Sequence, residues 1–188
     1  MKAKDIIKPV VVLFLISAVA SGLLALTNAV TVDRIAAIDA ENKAKSMSLV
    51  MADAASFGEE TADGDIAYSP ALDASGGRLG YVLTTTVKGY GGDIDVMVGI
   101  GADGVITNAT ILSADDETPG LGQNTKKPAF IGQFAGKSGQ LTVVKGTPGN
   151  GEIQAVTSAT ISSTAVTKAV NACLAYFAEN LQGGESDG

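Results

Sequence analysis

One stretch near the C-terminal end is rich in hydroxyl side chains and organises the interpretation of the rest of the sequence. It reads Ala155-Val156-Thr157-Ser158-Ala159-Thr160-Ile161-Ser162-Ser163-Thr164-Ala165-Val166. Apolar residues then recur at spacings of three and four, which predicts one apolar face on a helix from about residue 162 to 180. We expect Thr157 or Ser158 to cap this helix, because either side chain offers an oxygen to the free N–H groups of the first turn. A helix start with free N–H groups and a positive dipole end suits a phosphate, although the same pattern is also typical of an ordinary helix start.

Near the N-terminus, a run of 22 residues (9–30) carries no charge. At 1.5 Å per residue this run would span about 33 Å as a helix, enough to cross a bilayer core. Lys2, Lys4 and Lys8 precede it with only Asp5 against them, so the positive-inside rule predicts a cytoplasmic N-terminus. A cleaved signal peptide is the alternative. Because the run is longer than a usual signal core, we expect a retained single-pass anchor in the cell membrane and an extracytoplasmic C-terminal domain.

The composition argues against several classes of protein. Asp and Glu number 20 against 13 Lys and Arg, a balance that disfavours binding to nucleic acid. The chain has no His and a single Cys, so an internal disulfide and a cysteine-ligated zinc or iron–sulfur site are excluded. We predict no metal site and no catalytic residue, and we expect Cys173 to be a small buried apolar side chain.

The region between the run and the hydroxyl-rich stretch alternates short apolar segments with glycine-rich turns. It predicts an α+β fold: an N-terminal transmembrane helix, then a twisted, mainly antiparallel sheet with flanking helices. Residues 57–65 are predicted to form a loop. We expect an anchor over residues 1–30, a helical stalk over 31–56, a domain over 57–182 and a disordered tail over 183–188. The predicted strands are residues 66–68, 80–87, 94–100, 105–112 and 141–144.

Within the hydroxyl-rich stretch, Thr157-Ser158-Ala159-Thr160 resembles the flavinylation motif of the FMN-binding domain family, Ser/Thr-Gly-Ala-Thr. In that family the final Thr carries FMN through a phosphoester to its hydroxyl, so the resemblance implies that Thr160 is the attachment point. Two positions depart from the pattern, since Ser158 stands where the family usually has Gly and Gln154 where an Asp is common. The resemblance implies cofactor contacts from the residues around Thr160, namely Ser158, Ala159, Ile161 and Ser162.

A second stretch, Glu117-Thr118-Pro119-Gly120-Leu121-Gly122, resembles a signature of the RnfG and NqrC proteins within that family. Pro119 and Gly120 suit the two central positions of a type II turn, where Gly supplies the positive φ. The loop Gly89-Tyr90-Gly91-Gly92 also resembles a loop of the family. The resemblance implies further cofactor contacts from the second stretch, namely Glu117, Thr118, Gly120, Leu121 and Gly122.

The resemblance implies a membrane-anchored electron-relay subunit, of the RnfG type, in an Rnf complex. Such a complex couples electron transfer between ferredoxin and NAD to translocation of Na⁺ or H⁺, and this subunit is not a stand-alone catalyst. The implied partners are the other subunits, a flavin transferase for maturation, and membrane lipid through residues 9–30. Three alternatives remain open: an NqrC-like subunit of the Na⁺-translocating quinone reductase, an anchored binding or structural domain that is never modified, and a flavin-bearing sensor domain.

Overall fold

The first element is helix α1 (Ala3–Val50). The structure, a computed structural model, describes the backbone of residues 3–183 and the side chains of residues 7–32 and 34–183. Within the described residues, Ile7–Val50 is the one helix long and apolar enough to cross a membrane, and its most apolar window has a mean hydropathy of 2.5. This helix fits the predicted single-pass anchor. Of the predicted tail, residues 184–188 lie outside the described part.

The chain divides into two compact units, Met1–Asn42 and Lys43–Gly188, and the second is built on a six-stranded antiparallel sheet. The strands follow the order β1-β3-β4-β5-β6, with β2 also paired to β3. This arrangement, with helices packed on the sheet, confirms the predicted α+β fold. The strands are β1 (Ser56–Phe57), β2 (Thr61–Asp63), β3 (Ile66–Leu72), β4 (Arg78–Lys88), β5 (Asp93–Gly101) and β6 (Ile106–Ser113).

Three short helical segments, a small second sheet and one long helix follow β6. The short segments are a 3₁₀ turn at Gly122–Lys126, α2 (Pro128–Ile131) and a 3₁₀ turn at Gly132–Phe134. Two short strands, β7 (Thr142–Val144) and β8 (Glu152–Gln154), pair in parallel. Helix α3 (Thr160–Tyr176) continues into a π-helical turn at Phe177–Leu181.

The main core lies between α3 and one face of the sheet. Ile94, Val96, Val98 and Ile100 alternate along β5 and are all fully buried on this face, as the period-two pattern predicts. The apolar face of α3 packs in the same cluster, and each large aliphatic side chain buried there stabilises the fold by about 1.5–3 kcal/mol. The α3 residues of the cluster are Ala165, Val166, Ala169, Val170, Cys173 and Leu174.

The opposite face of the sheet is covered by the end of α1. Val50 and Met51 form a second buried cluster with Met97 of β5 and with side chains of β3 and β4. The Thr107 hydroxyl of β6 donates a hydrogen bond to the Val50 carbonyl, and the Asn108 amide donates one to the Leu49 carbonyl at 3.2 Å. These bonds satisfy carbonyls that the last turn of a helix otherwise leaves without partners.

Three predicted boundaries are wrong. Strand β3 runs to Leu72, four residues beyond the predicted end at residue 68. Residues 57–65 are not a loop throughout, because Phe57 ends β1 and Thr61–Asp63 forms β2. Both strands are too short for an alternating pattern to reveal, and their backbone pairs with β3. The last helix begins at Thr160, two residues before the predicted start, and its α-helical part ends at Tyr176.

Candidate functional site

A cleft of ≈ 390 Å³ lies at the start of α3 and brings together the two motifs singled out in the sequence. This volume is within the range of small-molecule sites, about 300–1,000 Å³. Every predicted cofactor-binding residue except Gly120 lines the cleft, and Tyr90 lines it in addition. The lining residues are Tyr90, Glu117, Thr118, Leu121, Gly122, Ser158, Ala159, Thr160, Ile161 and Ser162.

The second motif reaches the cleft through a tight turn. The Leu121 N–H donates to the Thr118 carbonyl at 3.1 Å, and Gly120 has a φ of +77°. This is the type II turn that Pro119-Gly120 predicts, with Gly at the position that needs a positive φ. Gly120 therefore shapes the loop from outside the cleft lining, while Thr118 and Leu121 on either side of it form part of the wall.

The first motif starts α3 without a side-chain cap. The residue at the N-cap position is Ala159, so the predicted capping by Thr157 or Ser158 is wrong. The physical reason is that the chain passes through Ser158 in the left-handed conformation, at φ 63°, one residue before the N-cap. The first turn of α3 consequently keeps the uncapped N–H groups and positive dipole end that favour an anion.

Ser163 holds this segment in place, a role that was not predicted from the sequence. Its buried hydroxyl accepts a hydrogen bond from the Val156 N–H at 3.0 Å and donates one to the Ala159 carbonyl at 2.9 Å. One side chain thereby closes the loop that leads into α3. The helical spacing does indicate this role. Ser163 lies three residues before Val166 and so falls on the apolar face of the helix, where a polar side chain implies a buried hydrogen bond.

The Thr160 hydroxyl differs from the other hydroxyl groups along this helix. Thr164 Oγ1 donates to the Thr160 carbonyl at 2.8 Å, and Thr167 Oγ1 donates to the Ser163 carbonyl at 2.9 Å. Among the side chains of residues 7–32 and 34–183 and the backbone described with them, the structure gives Thr160 Oγ1 no hydrogen-bond partner. Thr160 is half-buried and lines the cleft, so its oxygen is available for a bond to a ligand.

Glu117 is fully buried and joins three parts of the site. Its Oε1 accepts hydrogen bonds from the N–H groups of Tyr90 at 2.6 Å and Gly91 at 3.0 Å. Its Oε2 accepts one from the Ser162 hydroxyl of α3 at 2.6 Å. Because both oxygens are used in this way, Glu117 connects the β4–β5 loop to the first turn of α3 rather than presenting a free carboxylate to the cleft.

These contacts keep the Glu117 carboxylate charged. Burial raises the pKa of this carboxyl, but the hydrogen bonds from Ser162, Gly91, Tyr90 and Gly92 outweigh burial and hold the pKa below its ordinary value of 4.5. A carboxylate that accepts several hydrogen bonds is stabilised in its ionised form. The buried group at the base of the cleft is therefore an anion at neutral pH.

Two glycines let the backbone approach this carboxylate. A Cβ on Gly89 would collide with Glu117 Oε1, and a Cβ on Gly122 would collide with Oε2 and crowd the Ser162 hydroxyl. Each carboxylate oxygen thus lies against a position where a side chain does not fit. Gly89 and Gly122 are therefore explained by the packing around Glu117, whereas Gly91 and Gly92 lie closest to Asp116.

Among the described residues, no basic side chain lines the cleft. Lys126 instead pairs with the exposed Asp115 at 3.0 Å, and this contact lowers the pKa of the Asp115 carboxyl. Lys127 is exposed next to α2, and Lys137 is half-buried beyond it. Neither is among the lining residues, so the positive potential available to an anion here comes from the start of α3.

Residues 89–175 match the family of FMN-binding domains, so the fold and the cleft define a flavin-binding class of domain. The chain is 38% identical to the G subunit of the Na⁺-translocating ferredoxin:NAD⁺ oxidoreductase complex of Acetobacterium woodii, over 93% of this chain and 92% of the relative. It is 35% identical to the G subunit of the ion-translocating oxidoreductase complex of Methanosarcina acetivorans, over 93% of this chain and 95% of that relative. Residues 1–50 also match the RnfG N-terminal region. The chain belongs to the RnfG family.

A solved structure supports the fold. The C subunit of the Na⁺-translocating NADH-quinone reductase of Parabacteroides distasonis superposes with a TM-score of 0.50 at 24% identity. The match covers 60% of this chain and 61% of that chain, so it leaves more than a third of each outside the comparison. At this identity the likeness shows a shared fold.

The cleft residues fit the FMN that the family implies. An uncapped helix start suits the phosphate, and the Thr160 hydroxyl beside it has no competing partner among the described residues. The exposed apolar side chains of Tyr90, Leu121 and Ile161 line the same cleft and suit a flat aromatic ring. The cleft therefore offers a suitable environment for both the phosphate and the ring system of FMN.

Proposed function

We propose that this protein is the flavin-bearing electron relay of an Rnf-type complex and that it carries FMN covalently through a phosphoester to Thr160. The complex would transfer electrons between ferredoxin and NAD and use that transfer to move Na⁺ or H⁺. Helix α1 would anchor the protein in the cell membrane through residues 9–30, with the N-terminus in the cytoplasm and the cofactor domain on the outer side. Its partners are the other subunits of the complex and a flavin transferase.

One observation carries this proposal. Two stretches that are well separated in the sequence, one ending at Gly122 and the other containing Thr160, converge on one cleft. At the convergence, a hydroxyl without a partner in the described part of the chain lies at the first position of an uncapped helix. An ordinary helix start, which was the alternative, would use a nearby hydroxyl as its cap.

Each part of the site has a definable task. Thr160 Oγ1 supplies the oxygen of the ester, and the N–H groups at the start of α3 stabilise the single negative charge that a phosphodiester retains. Leu121 and Ile161 exclude water from the ring-binding part of the cleft. The bound flavin supplies the electron-transfer chemistry, while the protein sets its position and electrostatic surroundings.

The absence of basic side chains from the described lining of the cleft supports a covalent attachment. Without a Lys or Arg, the phosphate is held by the helix dipole and backbone N–H groups, an interaction of about 0.3–1 kcal/mol when exposed to solvent. Such an interaction orients a group well but retains it poorly. An ester to Thr160 would keep the cofactor in a compartment where no free FMN could refill the site.

The decisive experiment is co-expression of the full chain with a flavin transferase, followed by a denaturing gel read for flavin fluorescence. We expect a fluorescent band for the wild type and none for Thr160→Val, because valine keeps the shape and removes the oxygen. Thr142→Val is the matched control: it removes an exposed hydroxyl that lies outside both the motif and the lining of the cleft, and it should leave the band unchanged.

A fluorescent band that persists in Thr160→Val would show that another residue carries the flavin. A wild-type chain that stays unmodified when isolated from its native membrane would instead favour the unmodified anchored domain. An NqrC-like role is less well supported, since the chain matches the RnfG N-terminal region and is similar to G-subunit relatives over nearly its whole length.

A further inference from the structure

We propose that Tyr90 forms the aromatic wall of the flavin cleft and that Glu117 is the positioning residue that fixes the Tyr90 loop to the helix bearing Thr160. This inference rests on the proposed function, because it concerns the same cofactor. It assigns a task to two features that covalent attachment alone leaves unexplained. These are an exposed tyrosine on a rigid loop and a buried charged carboxylate.

The Tyr90 side chain is 70% exposed, and it lies at the tip of the four-residue connection between β4 and β5. The other exposed large apolar side chains of the cleft are Leu121, at 41%, and Ile161, at 58%. These three come from three separate segments and line the same cleft. A ring bound between them would cover apolar area that is otherwise in contact with water.

The backbone under Tyr90 is held firmly although its ring is exposed. The Gly89 N–H donates to the Gly92 carbonyl at 2.8 Å, which closes the loop. The next two N–H groups, those of Tyr90 and Gly91, both donate to Glu117 Oε1. Because the backbone is fixed, the direction of the Tyr90 Cα–Cβ bond is fixed as well, and only the two side-chain torsions remain to be ordered when an aromatic ligand binds.

Glu117 also sets the distance of this loop from the attachment point. Its second oxygen binds the Ser162 hydroxyl, two residues after Thr160 on the first turn of α3. The path from Tyr90 to Thr160 therefore runs through one carboxylate and three hydrogen bonds. Loss of the carboxylate would release the loop from the helix, while the hydrogen bonds of Ser163 would still hold the segment that leads to Thr160.

The test uses the full-length flavinylated protein and the fluorescence of its own attached flavin. Tyrosine in contact with an excited flavin quenches the emission by donating an electron, and the chain contains no Trp that could do so instead. Tyr90→Leu should therefore emit several-fold more strongly than the wild type. Tyr90→Phe should also brighten, because phenylalanine is a poor donor, but its ring should still shield the flavin from dissolved iodide.

Tyr176→Phe is the matched control. This tyrosine lies 16 residues after Thr160 on the same helix, roughly 24 Å along its axis at 1.5 Å per residue, and should change neither signal. Glu117→Ala removes the three hydrogen bonds and should brighten the flavin and admit more iodide, to a smaller extent than Tyr90→Leu, at temperatures where the domain remains folded. Glu117→Gln can keep these bonds and should change both signals less. Mass spectrometry of each variant establishes that the flavin is attached before its emission is compared.

Unchanged emission and unchanged iodide quenching in flavinylated Tyr90→Leu would overturn the inference and leave the proposed function intact. Iodide access that rises in Tyr90→Phe as much as in Tyr90→Leu would also overturn it, because the ring would then not be the shield. Changes in the Tyr90 variants without any in folded, flavinylated Glu117→Ala would remove the positioning role of Glu117 alone. A wild type without attached flavin would refute the proposed function itself.

Discussion

Replacement of Glu117 tests whether the buried carboxylate holds the cleft together. Glu117→Ala leaves the N–H groups of Tyr90 and Gly91 and the Ser162 hydroxyl without their partner. Each unsatisfied group costs about 1–3 kcal/mol when buried, and water entering from the cleft can replace part of this, so we expect a loss of about 4 kcal/mol in unfolding free energy. For a chain of this size that corresponds to a fall of about 8–16 °C in Tm.

Glu117→Gln removes the negative charge of the side chain and keeps its size and shape. The amide can still accept from the two N–H groups and donate to Ser162, but hydrogen bonds to a neutral group are weaker by about 1 kcal/mol each. A neutral amide also costs less to bury than a carboxylate, so we expect a net loss of about 1–2 kcal/mol at neutral pH. The order of stability should be wild type, then Gln, then Ala.

The pH dependence follows from the direction of the pKa shift. The pKa of Glu117 is lower in the folded protein than its ordinary value of 4.5, so the folded state is stabilised above pH 4.5. That contribution disappears as the pH falls from 4.5 through the lower, folded-state value. The difference between the wild type and Glu117→Gln should therefore shrink in acid, because the protonated side chain then resembles the amide.

Thermal unfolding in detergent, followed by near-ultraviolet circular dichroism, measures these differences, since all four Tyr lie in the unit Lys43–Gly188. Glu152→Gln is the control, because Glu152 accepts a single exposed hydrogen bond from Gly149. Its replacement should change stability by no more than about 0.5 kcal/mol. A gap between wild type and Glu117→Gln that persists well below pH 4.5, or no gap at neutral pH, would refute the reasoning.

Three further outcomes are expected. Ser158→Gly should raise the unfolding free energy by about 0.5–1 kcal/mol in thermal melts, because Gly adopts the left-handed conformation of this position without strain; an unchanged Tm would contradict it. Ser163→Ala should lower it by about 1–3 kcal/mol, because the Val156 N–H loses its buried acceptor, and Thr164→Val should be milder. Burial raises the pKa of the Cys173 thiol to about 12, so maleimide should label it in denaturant and not in the native protein at neutral pH.

The features that the sequence predicts well are local. Alternation along β5 needs only neighbouring residues, and it correctly identifies Ile94, Val96, Val98 and Ile100 as core. The turn at Pro119-Gly120 is equally local, because proline fixes one φ and glycine permits the other. The apolar face of α3 follows from a helical period that several large residues share.

The features that escaped prediction depend on residues far apart in the chain. Glu117 meets Tyr90 across 27 positions and Ser162 across 45, so no local pattern marks it as a link between loops. The uncapped start of α3 depends on the left-handed conformation of Ser158, which is unusual for serine. Strands β1, β2 and β8 are two or three residues long and exist because a neighbouring strand pairs with them.

The lack of cations in the described lining of the cleft has a consequence for how tightly an unattached cofactor would be held. A site that relies on a helix start and three apolar side chains would exchange free FMN readily, and dilution would empty it. With a tether, occupancy no longer depends on the concentration of free FMN. A linked ligand experiences an effective local concentration of the order of millimolar whatever the surroundings contain. With such a tether, a low intrinsic affinity for FMN would be compatible with a site that stays occupied through many rounds of electron transfer.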